Sequence, residues 1–390
     1  MTAPDRDVSY AAAISEHPVT ASAVGETAGQ ILEQTGDGLD LAVLFVTPHH
    51  AGALEDAAGA VRAVLRPGTL IGCAAVAVAG NGREVEDGPA VALWAARLAA
   101  PVAPLVLHGE ETPDGPLVVG WPDASPFEPE AVILVADPFT FPADTFLGRL
   151  AADRPGLPVI GGMASGARGP GGSRLVLDDH VMPVGAVGAL LGPGSGLTTV
   201  VSQGCRPIGD PFVVTKAERN VIYELGGQPP LHRLEHLARR LPEDEVQLVN
   251  QGLHLGLVID EQVSEYHRGD FLIRNVLGAD RANGAIAVDA LVEVGTTVQF
   301  QVRDGASADE DLRLLLTGRE ADAALLFTCN GRGRNLFDEP DHDTGVLAQS
   351  LDGPQVAGFF AAGELGPVGG RNFLHGFTAS IALFRRETPV

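Results

Sequence analysis

A short segment rich in glycine and arginine carries several groups that could bind a small molecule. Residues 329–335 read CNGRGRN and follow the apolar run 324–328, which predicts a buried strand. Ligand sites of open α/β sheets lie at the carboxyl ends of strands. Arg332 and Arg334 offer planar guanidinium groups for a carboxylate or phosphate, and Asn330 adds an amide. The alternative is a tight turn whose arginines pair with surface acids.

A second glycine-rich segment, residues 362–378, follows another apolar run. It holds Glu364, Arg371, Asn372, His375 and Thr378 within 15 residues. Polar groups that converge beside apolar walls are typical of small-molecule pockets. The segment therefore predicts a ligand site, and the alternative is a hairpin with solvated charges.

Cys329 could act as a nucleophile because nearby arginines favour a thiolate. His342 or His375 could then serve as the base, and Glu364 with His375 could form an acid–base pair. No third residue is recognisable as one that orients the base. We therefore favour Cys329 as a reactive thiol that lines a ligand site. The three cysteines form no C-x-x-C pair and no disulfide framework.

Three other motifs could carry chemistry, and each has a simpler explanation. His232, Glu235 and His236 match the zinc-peptidase pattern H-x-x-E-H, and Asp341-His342-Asp343 contains metal-ligand types, but no second cluster completes either site. Glu84-Val85-Glu86 would place two carboxylates on one face of a strand, as in some hydrolases. Solvated charges at a sheet edge are the favoured explanation for these two glutamates and for Arg303-Asp304. We expect no metal and no cofactor.

Composition excludes several classes of protein. The 390 residues carry a net charge of -24, which disfavours nucleic acid and anionic lipid as partners. The most apolar window, 69–79, is too short to span a bilayer, and the first 18 residues do not resemble a secretory leader. Lys216 is the single lysine, a bias typical of GC-rich bacterial genes. We expect a cytoplasmic protein.

The order of apolar and helical segments predicts a mixed α/β fold. The opening reads as helix 22–34, strand 41–47, helix 51–65 and strand 69–79, and strand–helix–strand recurs at 131–160. Residues 174–214 resemble an antiparallel meander. Residues 226–230 (GGQPP) are the best linker. We therefore predict two modules, 22–226 and 229–386, each a mixed sheet with covering helices, packed as one compact body. No short-period repeat is visible; a weak duplication of the two halves stays open.

With these segments assembled, the chain resembles the FIST-domain family over residues 24–384, with an N-terminal and a C-terminal FIST module. The residues that carry the resemblance are Leu70-Ile71-Gly72-Cys73, Gly82-Arg83-Glu84-Val85-Glu86, Pro158-Val159-Ile160-Gly161-Gly162-Met163, Gly204-Cys205-Arg206-Pro207-Ile208-Gly209, Leu272-Ile273-Arg274-Asn275-Val276-Leu277-Gly278-Ala279-Asp280, Val302-Arg303-Asp304, Cys329-Asn330-Gly331-Arg332-Gly333, Gly358-Phe359-Phe360, Gly363-Glu364-Leu365-Gly366-Pro367 and His375-Gly376-Phe377-Thr378.

The resemblance implies an intracellular sensory domain for a small ligand, with amino acids as a candidate class. Related proteins join such modules to signalling outputs, for which this chain has no room. We therefore expect a standalone sensor that signals through a separate protein.

The resulting prediction is a ligand-binding protein without catalysis. An arginine would hold a carboxylate and Glu364 an ammonium group, as an amino acid requires. The alternatives are an enzyme that uses Cys329 or the Glu364–His375 pair, and a scaffold that binds only protein. The predicted ligand-binding residues are Asn330, Arg332, Arg334, Glu364, Arg371, Asn372 and His375.

Overall fold

The continuous apolar runs of the sequence form buried strands, and three of them, Leu41–Val46, Ala131–Ala136 and Ala323–Cys329, lead into a helix that packs on the sheet. The computed structural model describes residues 7–263 and 265–386. By spatial contacts the chain divides into two units. Unit 1 holds the described residues up to Val201, Leu312–Leu374 and those from Thr378 onwards; unit 2 holds Ser202–Asp311 and His375–Phe377.

Helices are interspersed with runs of strands along the chain, and the mixed α/β fold class is confirmed. The helices are α1 Thr20–Thr35, α2 Leu54–Leu65, α3 Ala143–Asp153, α4 Pro230–Ala238, α5 Glu243–Gln251, α6 Gly305–Leu316 and α7 His342–Ser350. The strands are β1 Ser9–Ser15, β2 Leu41–Val46, β3 Thr69–Ala74, β4 Val78–Gly80, β5 Arg83–Val85, β6 Val91–Arg97, β7 Val102–Thr112, β8 Gly115–Val119, β9 Ala131–Ala136, β10 Val159–Met163, β11 Leu175–Leu177, β12 His180–Met182, β13 Ala186–Leu191, β14 Leu197–Gln203, β15 Cys205–Pro207, β16 Phe212–Glu218, β17 Val221–Leu225, β18 Leu253–Val258, β19 Phe271–Asp280, β20 Ala285–Val288, β21 Thr297–Arg303, β22 Ala323–Cys329, β23 Gln355–Ala361, β24 Glu364–Val368, β25 Arg371–His375 and β26 Thr378–Phe384.

Unit 1 contains three copies of one strand–helix–strand motif. The parallel pairs are β2 with β3, β9 with β10, and β22 with β23, joined through α2, α3 and α7. In each pair a leucine, fourth in the first strand, lies opposite a glycine: Leu44 and Gly72, Leu134 and Gly161, Leu326 and Gly358. A β-carbon on any of these glycines would overlap the carbonyl oxygen of the paired leucine. The shared register identifies three structural copies rather than two halves.

The three sheets of unit 1 share one strand order. They run β1-β6-β2-β3-β11-β12, then β7-β13-β9-β10-β24-β25, then β14-β26-β22-β23-β4-β5, with β8 added beside β7. Copy 1 is residues 9–97, copy 2 is 102–191 and copy 3 is 197–384. Within the last range, residues 202–311, from the end of β14 into α6, and residues 375–377 belong to unit 2. The last two strands of each sheet come from another copy. Each copy therefore supplies a hairpin to a neighbour.

One apolar core joins the inner faces of the three sheets. It includes Phe45, Trp94, Phe327, Phe359 and Phe384, all fully buried. The rings of Phe45 and Phe359 lie 4.9 Å apart, and those of Trp94 and Phe384 lie 5.0 Å apart. The outer faces pack in separate clusters against the helices of their own copy. Alternating side chains thus cover both faces of every central strand.

Unit 2 is a closed antiparallel barrel. Its strands pair in the order β21-β16-β17-β20-β19-β18, and β18 pairs again with β21 to close the ring, while β15 lies beside β21. Leu255, Val298 and Phe300 belong to its apolar core, against which leucines of α4 pack. Closure removes the free sheet edges that an open sheet would present.

Two expectations need comment. The segment 174–214 is not a meander, because β11–β12, β13 and β14 belong to three different sheets of unit 1. Residues 226–230 form the turn between β17 and α4 inside unit 2. The module limits 22–226 and 229–386 are divisions of the sequence and stay a prediction. Residues 1–6 of the segment compared with a secretory leader lie outside the described residues.

No helix within residues 7–263 and 265–386 combines the length and the apolar character that a bilayer crossing requires.

Candidate functional site

A buried ion pair lies where β22 ends in unit 1. Arg332 Nε and Nη2 donate to the two carboxylate oxygens of Asp343 at 2.8 and 2.7 Å. Both side chains are fully buried, and Thr328 Oγ1 donates to Asp343 at 2.6 Å. Burial alone would raise the pKa of Asp343, but the Arg332 guanidinium and its hydrogen bonds hold that pKa well below its usual range. The pair is therefore charged at neutral pH.

Two aromatic rings cover one side of this pair. The Arg332 guanidinium lies 5.1 Å from the ring of Phe337, and Phe337 stacks on His342 with ring centroids 3.4 Å apart. His342 Nδ1 lies 2.9 Å from Asp343. Asp343, together with His342, was considered as a metal ligand from the sequence. It is instead occupied by Arg332 and Thr328, and no group of metal-ligating side chains occurs within the described part of the chain.

Glu84 joins the cluster from the hairpin that copy 1 supplies to the third sheet. It is 5% exposed, so the expectation of a solvated edge charge is wrong for this residue. The Thr344 backbone N–H donates to Glu84 Oε1 at 2.9 Å. Burial, and then the negative charge of Asp343, raise the pKa of Glu84 to about 8.

Glu364, on β24, is the third carboxyl group of the cluster. It is fully buried, and Oε2 accepts hydrogen bonds from Thr378 N at 3.1 Å and Thr378 Oγ1 at 2.9 Å. Burial raises the pKa of Glu364 to about 8, although these two hydrogen bonds oppose the shift. The Cys329 thiol lies within hydrogen-bonding reach of the Glu364 carboxyl group. We call Glu84, Arg332, Asp343 and Glu364 the carboxyl cluster.

Three buried polar atoms of the carboxyl cluster lack a nitrogen or oxygen partner among the described residues. They are Glu84 Oε2, Arg332 Nη1 and Glu364 Oε1. Leaving a buried polar group unsatisfied costs about 1–3 kcal/mol. Native structures retain few such groups, and each calls for an explanation. A bound molecule that offers both donors and acceptors would satisfy all three.

The other copies of the motif show that these glutamates are not required by the fold. Glu364 lies opposite Gly162, the residue that follows Gly161, which is the glycine paired with a leucine in copy 2. In the other two sheets the equivalent position is held by Leu175 and Val78, which are fully buried. Val181 occupies the position of Glu84 in the first sheet. The exchanged hairpins of copies 1 and 3 therefore place two carboxyl groups where aliphatic side chains build the same structure.

The predicted ligand-binding residues divide into three groups. Arg332 and Glu364 lie in the carboxyl cluster, with Cys329 beside them and 7% exposed. Asn330 and Arg334 are exposed at its rim, where the Arg334 backbone N–H donates to Glu86 at 3.0 Å. Arg334 also pairs with exposed Asp87 at 3.3 Å.

The remaining three lie elsewhere. Arg371 is exposed, with its guanidinium 5.4 Å from the ring of Phe373. The Asn372 amide bridges the backbone of Leu157 and Val159, which is a structural role. His375 belongs to unit 2, whereas Glu364 belongs to unit 1.

Sequence reasoning missed Glu84, Thr328 and Asp343 as members of one site. Glu84 is 244 residues or more from the others in the chain (328 − 84 = 244) and reaches them only through the exchanged hairpin. The signal available was the recurrence of the strand with leucine at its fourth position, which aligns the copies and marks Glu84 and Glu364 as polar substitutions.

Comparisons with known proteins identify the family of this chain. Residues 40–228 match the FIST N domain and residues 234–367 match the FIST C domain. An uncharacterized protein of Mycobacterium tuberculosis is 45% identical over 379 residues, covering 95% of this chain and 98% of the relative. An uncharacterized protein of Mycobacterium bovis is 46% identical over 379 residues, covering 94% and 96%. FIST domains are associated with sensory ligand binding in signalling. The chain belongs to the FIST family.

Proposed function

We propose that this protein is a cytoplasmic sensor that binds a small ammonium-bearing molecule, of the amino-acid type, in the carboxyl cluster of unit 1. It signals through a separate protein and carries out no reaction itself. The observation that carries the proposal is the set of three atoms without a nitrogen or oxygen partner among the described residues, on fully or nearly fully buried side chains, two of which stand at positions that are aliphatic in other copies.

Charge favours an ammonium group as the part of the ligand that is recognised. With all groups ionised, the three carboxylates and one guanidinium of the cluster would carry a net charge of -2. In the empty protein, burial keeps Glu84 and Glu364 largely protonated at neutral pH. An ammonium ion would favour their ionised forms, so binding would release protons. Arg332 Nη1 remains available for a carboxylate oxygen of the same ligand.

The first test is a thermal-shift screen of the full chain against methylammonium, amino acids, organic acids and nucleotides. A ligand at about 100 times its dissociation constant adds about 2.7 kcal/mol to native stability. For a unit of this size each kcal/mol raises the melting temperature by about 2 °C, so we expect a rise of about 5 °C. We expect stabilisation by amines and amino acids. Stabilisation by nucleotides or organic acids alone would contradict the proposed ligand class.

The residues are tested by Glu364→Gln and Glu84→Gln. Because both side chains are largely neutral in the empty protein, the amide should preserve the fold while removing the negative charge that ammonium requires. We expect the amine-induced stabilisation to disappear in both variants. Glu110→Gln, the same change at an exposed position, serves as the control and should respond like the wild type. Unchanged amine binding in folded Glu364→Gln would reject the site.

One observation favours the enzyme alternative. The Gly331 backbone N–H donates to Cys329 Sγ at 3.4 Å, and a donor aimed at sulfur stabilises a thiolate. A nucleophilic Cys329 should react with iodoacetamide much faster than free cysteine at neutral pH, and that reaction should be lost in Cys329→Ser. A rate at or below that of free cysteine supports the sensor without catalysis.

A further inference from the structure

A buried histidine in copy 1 of unit 1 has a ring nitrogen without a partner. His50 follows β2 and is fully buried. Its Nδ1 lies 2.9 Å from Thr20 Oγ1, on the first residue of α1, and its Nε2 has no hydrogen-bond partner among the described residues. The strands β1 and β2 end together at this edge of the sheet, because their last residues, Ser15 and Val46, both pair with Val91 of β6.

His50 holds the position in copy 1 that Arg332 holds in copy 3. Each is the sixth residue after the leucine that lies opposite a glycine, Leu44 or Leu326. Each backbone N–H donates to the carbonyl oxygen three residues earlier, at 3.0 Å for His50 and 2.8 Å for Arg332. Both side chains are basic and fully buried, and each has one nitrogen that lacks a partner within the described part of the chain. Two copies therefore present a basic group at the same turn.

Copy 2 shows that the turn itself does not require a group without a partner. Thr140 is the sixth residue after Leu134 and so takes the equivalent position. Its hydroxyl donates to Asp137 Oδ2 at 2.6 Å and accepts from the backbone N–H of Gly185 at 3.0 Å. The fold can thus satisfy a side chain at this position with its own groups, and it does not do so for His50 Nε2.

The hairpin that the first sheet receives lacks the two glutamates of the carboxyl cluster. Leu175 and Val181 hold the positions of Glu364 and Glu84 in that hairpin. Among the described residues no carboxylate is paired with His50. The carboxyl cluster surrounds its basic group with acids, whereas the protein supplies no counter-ion to His50.

Two further histidines act on the charge of His50. Burial, then the charge of His49 and then that of His17, lower the pKa of His50, so the imidazole is mostly neutral at neutral pH. His17 comes three residues before Thr20, and its Nδ1 accepts a hydrogen bond from the Val19 backbone N–H at 3.0 Å. A neutral His17 ring therefore carries its proton on Nε2 and can donate it. A negative ligand would favour the protonated forms of these rings.

The amino end of α1 adds backbone donors to this edge. The first turn of α1, which the structure describes in full, holds no acidic residue, and Val19 before it has no side-chain oxygen to cap the helix. The N–H groups at the start of a helix carry a partial positive charge. The two acids nearby have partners, since Glu26 accepts from Ser15 Oγ and Glu16 pairs with Arg83. The group that completes this edge should therefore bring acceptors and a negative charge.

We infer that unit 1 contains a binding site for a small oxyanion at the edge where β1 and β2 end, formed by His50, His17 and the amino end of α1. The anion accepts a hydrogen bond from His50 Nε2, while Thr20 holds the ring through Nδ1. A phosphate, sulfate or carboxylate group has this chemistry, and helix amino ends commonly bind such groups. The site shares no residue with the carboxyl cluster and does not rest on the proposed function.

The test uses the full chain with ¹⁵N-labelled histidine and inorganic sulfate as the probe, because the charge of sulfate does not change where histidine titrates. Sodium sulfate replaces sodium chloride at constant ionic strength, and the His50 ring signals are identified by their absence in His50→Asn. We expect a saturable shift of these signals with sulfate, at lower concentrations as the pH falls towards about 6.5, and none with methylammonium chloride. A shift that is absent, or that never saturates, would overturn the site.

The role of the Nε2 atom is tested by His50→Asn itself. The asparagine amide stands near the place of Nδ1 and can keep the contact with Thr20, but it has no group at Nε2. Sulfate binding, measured by calorimetry, should weaken about tenfold or more, as expected for the loss of a hydrogen bond to a charged group. His108→Asn, the same change at an exposed histidine, is the control and should bind sulfate like the wild type. If folded His50→Asn binds sulfate as the wild type does, the assignment is wrong.

A pair of variants on α1 keeps the site testable should His50→Asn not fold. Ala21 and Gln30 are both exposed on this helix. Ala21→Glu places a carboxylate in the first turn, where it favours the helix, so the melting temperature should not fall while sulfate binding weakens several-fold. Gln30→Glu adds the same charge farther along the helix and should leave sulfate binding unchanged. Equal sulfate affinities of the two variants would reject the site.

Discussion

At the scale of single residues, the charged groups of unit 1 differ from surface charges of the same type. Arg332 and Asp343 are buried away from water, and each compensates the charge of the other. Removing one partner therefore leaves the other as an uncompensated buried charge. The exposed pair of Arg334 and Asp87 has no such dependence, because water solvates either group alone. Two arginines of one loop, Arg332 and Arg334, therefore differ in their effect on stability.

Arg332→Met should destabilise the protein by about 3–5 kcal/mol, the cost of breaking a buried ion pair. Adding Asp343→Leu to it should recover much of that loss, since neither charge then remains. Urea denaturation of the full chain measures both. Arg334→Met is the control and should stay within about 0.5 kcal/mol of the wild type. If the losses in the free energy of unfolding caused by the two single substitutions simply add in the double variant, the two side chains do not form the pair described.

The pH dependence of stability follows from the two buried glutamates. Their native pKa values of about 8 exceed the unfolded value, so the native state holds protons that the unfolded chain has lost. Stability should therefore fall as pH rises from about 5 to about 8. Asp343 has a lowered pKa and opposes this only at acid pH, where its contribution is lost.

Melting temperatures of the wild type and of the Glu84→Gln, Glu364→Gln double variant test this across the same pH range. The double variant should show a flatter profile because the amides do not titrate. Glu110→Gln should follow the wild type. Parallel profiles of melting temperature against pH for the wild type and the double variant would mean that the native pKa values of the two glutamates are not raised.

At the scale of elements, the close approach of paired strands depends on glycine at one position in each copy. In β23, a β-carbon on Gly358 would overlap the carbonyl oxygen of Leu326. Gly358→Ala should therefore destabilise unit 1 by at least about 1–3 kcal/mol. Gly148 lies within α3, and a β-carbon added there would meet no neighbouring atom within 4 Å. Gly148→Ala should therefore stabilise the protein by about 0.5–1 kcal/mol. Chemical denaturation compares the two; equal effects would refute the steric argument.

The same elements show how far the sequence predicts the structure. The strands 41–46, 131–136 and 323–329 were recognisable because side chains buried on both faces give continuous apolar runs. The site at the end of β22 and the roles of Arg332 and Glu364 as its members were predicted from polar residues beside glycines. Glu84 was not predicted as a member of the site. A short hairpin with alternating charges is expected to be exposed to solvent, and only the sheet with which it pairs shows that Glu84 is buried.

At the scale of the whole molecule, net charge is the dominant long-range term. The 390 residues carry a net charge of -24, and their excess negative groups repel one another more strongly in the folded state than in the extended chain. Adding sodium chloride within the range where the Debye length falls from about 30 to about 10 Å should raise the melting temperature. A melting temperature that is constant or falls would show that local ion pairs outweigh this repulsion.

The exchange of hairpins also has a consequence for how the chain acquires its structure during synthesis. The hairpin of β4 and β5 leaves the ribosome early, but the sheet that receives it consists of β14, β22, β23 and β26, and the last three of these are made near the end of synthesis. The exchange of hairpins among the three copies of unit 1 therefore cannot be completed until nearly all of the polypeptide exists. A nascent chain that ends before Ala323 has unpaired strand edges, which are prone to association. We therefore expect this chain to depend on chaperones for longer than a protein of the same length whose domains fold one after another during synthesis.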